Sequence, residues 1–163
     1  MSLYIFLSRL IVALVCGISI GLERQLRQRS AGLTTNALVS VGACIFILIS
    51  ETVIDNAIAS GGLVNNDNLR VLAQIVTGIG FLGAGVILRN GFTVHGLNSA
   101  ATLWCSAGVG SLCGYGLWVE ALIASAVILF INWVLKSIEY YMETHCKESK
   151  IYQQPENENN TQK

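Results

Sequence analysis

Charge is what this chain has least of. Of its 163 residues 12% are Asp, Glu, Lys or Arg against 53% hydrophobic, and proline occurs once. That balance is too apolar for an ordinary soluble domain, and the apolar residues are gathered into runs too regular for a disordered chain. Charge is also missing from depth. No Asp, Glu, Lys or His falls near the middle of an apolar run, which argues against the proton relay or cation cage of a pump. No His/Cys/Asp constellation has metal-ligand spacing, and no nucleophile stands at readable spacing from a base, so neither catalysis nor a bound metal or cofactor is expected. The five cysteines, at 16, 44, 105, 113 and 146, form no C-x-x-C pair. Four lie inside apolar runs and read as small buried residues, leaving Cys146 as an accessible thiol and no structural disulfide. Nothing points to nucleic acid as a partner.

What is present is a series of apolar runs long enough to cross a hydrocarbon core of about 30 Å. They cover residues 3–22, 36–54, 70–88, 98–115 and 117–136, predicting an all-α integral membrane domain over 1–136. A cleaved signal peptide is the competing reading of the first run, but the basic residue Arg9 lies within it and no small-x-small cleavage pattern follows. Residues 137–163 read as a tail that starts as a short helix and is disordered from about 153, where Gln, Asn and Glu dominate. Short cytoplasmic loops carry the Lys and Arg excess. Arg24, Arg27 and Arg29 follow the first run and Arg89 and His95 the third, whereas 51–69 holds Glu51, Asp55 and Asp67 and no base. The N-terminus is therefore expected outside and the C-terminus in the cytoplasm.

The third run contains Gly78-Ile79-Gly80-Phe81-Leu82-Gly83-Ala84-Gly85, a G-x-G-x-x-G match. A dinucleotide site needs a strand before it and an acid about 20 positions on. Here the glycines sit inside an apolar run, and Thr102, Leu103 and Trp104 stand where the acid belongs. Gly78, Gly80, Gly83 and Gly85 therefore read as a helix-packing face, as do Gly17 with Gly21 and Gly110 with Gly114, because small residues let membrane helices approach. The polar residues have bland alternatives. Glu23 and Arg24 suit an interfacial ion pair, Arg9 can reach the outer headgroups, and Gln74 suits an interhelical hydrogen bond. Asn98 is equally a helix cap or a functional residue. Glu51, Asp55 and Asp67 read as a solvated acidic loop or, less readily, a divalent-cation site. Arg24, Arg27 and Arg29 would also serve topology and contact with anionic lipid.

Four segments carry a resemblance: Gly21-Leu22-Glu23-Arg24-Gln25, Ala31-Gly32-Leu33-Thr34-Thr35-Asn36-Ala37-Leu38-Val39, the glycine run 78–87, and Gly96-Leu97-Asn98-Ser99-Ala100-Ala101-Thr102-Leu103-Trp104. In order and spacing the chain resembles the MgtC/SapB family over about residues 5–135. Thr34 stands where that family commonly has Arg, and the chain resembles its short form, without the cytoplasmic domain of longer members. The resemblance implies a bacterial inner-membrane protein for adaptation to low magnesium and, in pathogens, for virulence and survival inside macrophages. It implies regulation by binding other membrane proteins, F-type ATP synthase among them. Asn98 is then the functional asparagine, with Glu23, Arg24, Arg27 and Arg29 as the adjoining contact surface. Membrane lipid and a second copy of the chain are the other expected partners, and a small Mg²⁺ transporter or channel is the alternative.

Overall fold

A computed structural model describes residues 2–61 and 68–151, with side chains as far as Val134 apart from Asn68. The expectations for Asp67, the side chain of Cys146 and the tail beyond Ile151 fall outside these described residues. Five helices follow one another: α1 (Leu3–Leu26), α2 (Leu33–Ala59), α3 (Asn68–Val86), α4 (Leu97–Gly114) and α5 (Trp118–Ile151). Between α3 and α4 lies an antiparallel hairpin of β1 (Leu88–Asn90) and β2 (Thr93–His95), in register Leu88 with His95 and Asn90 with Thr93. Met1–Ile128 forms one compact unit and Leu129–Lys163 a second, which carries the remainder of α5.

Three helices, α1, α2 and residues Leu69–Val86 of α3, are long and apolar enough to cross a membrane, and Trp118–Val134 is a shorter apolar stretch. α4 is diluted by Asn98, Ser99, Thr102, Ser106 and Ser111, and its burial explains why. Ser99, Thr102, Ser106 and Ser111 are all buried against neighbouring helices, so α4 packs its polar side into the bundle while Ala101, Trp104 and Gly108 stay exposed. Lipid tails are as apolar as leucine, so close packing and hydrogen bonds must hold membrane helices together. The glycines supply the closeness. A Cβ on Gly17 would lie 2.9 Å from Ala37 Cα, one on Gly21 2.6 Å from Leu33 Cα, and one on Gly110 would run into the Ser40 carbonyl. These contacts set α1 antiparallel to α2 and α2 parallel to α4. Ala13, Cys16, Ile20, Cys44, Leu48 and Cys113 fill the core where the three meet. The described cysteines are free.

Helix ends depart from the sequence reading where local chemistry extends them. α1 runs four residues past Leu22, because Glu23 and Arg27 at i,i+4 form an ion pair of 2.6 Å. It closes in a Schellman turn: Arg29 N–H donates to Arg24 O at 3.1 Å and Gln28 N–H to Gln25 O at 3.0 Å, with Gln28 at φ +52 in the place usually held by glycine. α4 closes the same way on Gly116. α2 continues to Ala59, so Glu51 and Asp55 stand on a helix and not in a loop. α5 passes Lys136 without a break. The hairpin was not legible as strand. Its two-residue turn, Gly91-Phe92, takes a positive φ at Gly91 alone, the pattern of a type II′ turn.

Candidate functional site

The end of the bundle where α1 finishes and α4 begins carries a buried polar cluster. Arg24 is 1% exposed. Its Nη1 donates to Asn98 Oδ1 at 2.9 Å and its Nη2 to Ser99 Oγ at 3.0 Å, while Ser30 Oγ donates to Ser99 Oγ at 3.0 Å. Residues 23 and 24 point about 100° apart around a helix. Glu23 therefore takes Arg27 one turn on, and Arg24 turns inward onto α4. The expected Glu23–Arg24 pair is thus replaced by two separate arrangements.

Asn98 does not cap α4. The N-cap is Gly96, at φ +89, and no side chain accepts from the first amides. Asn98 sits in the first turn and spends its carbonyl oxygen on Arg24. Thr102 Oγ1 steadies that turn by donating to Asn98 O at 2.8 Å. Gly96 is required where it stands: its φ suits glycine, and a Cβ would strike the Val86 carbonyl that ends α3. Both arginine-bearing connections, 27–32 and the hairpin with Arg89 and His95, share this end of the unit, as the charge count suggested. Arg29, exposed, contributes its amide to the turn.

Deeper along the same seam is a second polar set that sequence reasoning quoted without assigning. Asn36 is fully buried on α2. Its Nδ2 donates to Gly32 O at 2.8 Å and Ala31 O at 3.2 Å, and Ser106 Oγ donates to its Oδ1 at 2.8 Å. Ser40 Oγ donates to Ala13 O at 2.8 Å. An asparagine inside an apolar run was the available signal, since such residues face other helices. Thr34, by contrast, is exposed and takes no part in this set.

At the opposite end Arg9 does not reach for headgroups. It pairs with Glu51 at 2.5 Å and donates to Gly114 O at 2.6 Å, tying α1, α2 and α4 together. Glu51 is therefore an ion-pair partner, and no group of three or more potential metal ligands exists among the described residues. Gln74 likewise makes no interhelical bond among the described residues. It lines an open groove of about 530 Å³ between α2 and α3 with Gly42, Phe46, Gly78 and Leu82. On α3 the glycines divide: Gly83 meets Ala100 at 3.6 Å, whereas Gly78, Gly80 and Gly85 face nothing within 4 Å. A second groove, of about 400 Å³, runs along the other side of α3 past Trp104, Cys105 and Gly108.

Such a structure defines a helical membrane protein in which α1, α2 and α4 form a close-packed frame, a buried arginine closes one end, and α3 keeps a bare glycine face. The chain belongs to the MgtC family, whose model matches residues 10–141. It is 52% identical over 136 residues to the protein MgtC of Salmonella typhimurium, covering 83% of this chain and 54% of that one. It is 48% identical over 141 residues to the protein MgtC of Brucella abortus, covering 86% and 56%. An uncharacterised Synechocystis protein is 50% identical over 138 residues, covering 83% and 54%. The chain thus spans about half the length of the curated relatives it matches. No solved structure matches it.

Proposed function

We propose that this chain is a regulatory protein of the bacterial inner membrane, without enzymatic activity, that acts by docking against other membrane proteins. It serves adaptation to low magnesium and, in pathogens, virulence and survival inside macrophages, and F-type ATP synthase is the first partner to test. The chain crosses the membrane five times with its N-terminus outside, and the turn 27–32 and the hairpin face the cytoplasm. The observation that carries this reading is the bare face of α3. Gly78 and Gly85, at i and i+7 and so on one face of the helix, leave room where an added Cβ would meet no atom within 4 Å, with an apolar groove on either side of the helix, and membrane helices associate through small residues that admit a close backbone. The Arg24–Asn98–Ser99 cluster holds the end of α4 rigid beside the α3–α4 hairpin, which suits Asn98 to a supporting role at the same docking surface.

Reconstituting the purified chain with F-type ATP synthase in proteoliposomes tests the proposal through ATP-driven proton pumping. Pumping is expected to fall when the chain is present and to recover when Gly78→Leu and Gly85→Leu fill the bare face. Unchanged pumping, together with Mg²⁺ entry into vesicles that contain the chain alone, would replace the regulator with the small transporter.

A further inference from the structure

Arg24 is a buried cation whose neighbouring carboxylate, Glu23, is shared with Arg27. Arg9 pairs with Glu51 and Arg27 with Glu23, so the carboxylate near Arg24 is already engaged. The hydrogen-bond acceptors of Arg24 are the neutral oxygens of Asn98 and Ser99, and its Nε is buried with no hydrogen-bond partner. Its position sharpens the imbalance. The guanidinium is held by two side chains of the first turn of α4, a helix of 18 residues whose N-terminus carries partial positive charge and whose first amides have no side-chain cap. Cations belong at the other end of a helix, and a buried charge whose counter-charge is shared is costly to hold. Two positive sources converging on an uncapped turn are the recipe for holding an anion.

The surroundings identify which anion. Asn98 and Leu97 are exposed, as is Ser30, so the turn is reachable beside the buried guanidinium. Leu26 and Leu97 are 77% and 59% exposed, and the hairpin that leads into Gly96 presents Phe92 wholly exposed at its tip with Leu88 and Val94 along its strands. A soluble anion gains nothing from apolar residues around its seat, whereas a lipid places acyl chains against them and its phosphate at the level of the helix end. We propose that the first turn of α4, backed by Arg24, binds the phosphate of an anionic phospholipid, with the hairpin lying in the membrane interface beside it.

The test is thermal melting of the full chain in neutral detergent with added phosphatidylglycerol, phosphatidylcholine or inorganic phosphate. Phosphatidylglycerol is expected to give a saturable rise in melting temperature that phosphatidylcholine does not. Arg24→Gln should abolish that rise. Because it could also fail to fold, Asn98→Asp provides a second reading: it places a carboxylate against Arg24, and the variant is expected to fold and to lose the dependence on phosphatidylglycerol. Equal shifts from the two lipids, or an Asn98→Asp variant that keeps the wild-type response, would overturn the proposal. An equal shift from inorganic phosphate would overturn the lipid assignment.

Discussion

Gly108 and Gly110 stand two residues apart on α4, and the structure expects opposite consequences from the same substitution. At Gly110 an added Cβ would strike the Ser40 carbonyl oxygen, with Ser40 C at 2.7 Å and Cα at 2.8 Å. All three atoms are backbone, so no rotamer change relieves the contact. Carbon atoms sit comfortably at about 3.5–4.0 Å, so α2 and α4 would have to part by roughly 1 Å. That separation stretches the bond from Ser106 Oγ to Asn36 Oδ1, now 2.8 Å. Overpacking of this kind costs about 1–3 kcal/mol, and the better helix propensity of alanine returns up to about 1 kcal/mol. Gly110→Ala should therefore lose about 1–2 kcal/mol net. Gly108→Ala meets nothing within 4 Å and keeps only the propensity gain. Melting in detergent micelles measures both, at about 2–4 °C per kcal/mol for a chain of this size. A Gly110→Ala protein that melts at or above wild type, or a Gly108→Ala protein that loses as much as Gly110→Ala, would refute the assigned helix contact.

Asn36→Leu should destabilise by about 1–3 kcal/mol, because it strips Ser106 of its acceptor and removes two bonds to the carbonyls of residues 31 and 32; Asn36→Ser, which keeps a donor, should lose less in the same melting assay. Arg9→Met and Glu51→Met should each be costly alone, since each leaves a half-buried charge unpaired, while the double variant should recover at least about 0.5 kcal/mol relative to the sum. Strict additivity in that cycle would show that the pair contributes nothing. Gly91→Val should destabilise the hairpin by about 1–2 kcal/mol, since valine resists the positive φ at that position; cleavage of residues 88–95 by added protease, with the bundle intact, reads it out.

Helix count and class were legible because apolar runs of membrane length leave few alternatives, and Gly78–Gly85 lie within α3, as the helical reading of that run expected. What escaped the sequence was partner choice. Arg9, Glu23 and Arg24 each read as interfacial when taken alone, since a long charged side chain near a helix end can usually reach water, and Glu51 read as part of a solvated acidic loop. Three of them instead satisfy the bundle internally, and only the packing of α1 on α2 and α4 determines which. The glycines were ambiguous for the same reason. Gly17 and Gly80 are alike in sequence, yet one meets a helix backbone and the other meets nothing. The hairpin escaped because each strand has three residues, too few for alternation to register.

The two arginines of α1 explain each other. Arg9 and Arg24 are separated by 15 residues of one helix, a rise of roughly 22 Å, which is shorter than a hydrocarbon core of about 30 Å. Their backbones cannot both stand in the headgroups of an undistorted bilayer at once, so at least one must either snorkel outward or be compensated from within. Arg9 receives it in full, with a carboxylate and the carbonyl that ends α4. Arg24 receives neutral oxygens at the beginning of that same helix, where the dipole opposes it. On the proposed lipid site, the better-compensated Arg9 end is the one suited to immersion, and the Arg24 end, with Asn98 and the hairpin beside it, is the one suited to a surface where negative charge is available.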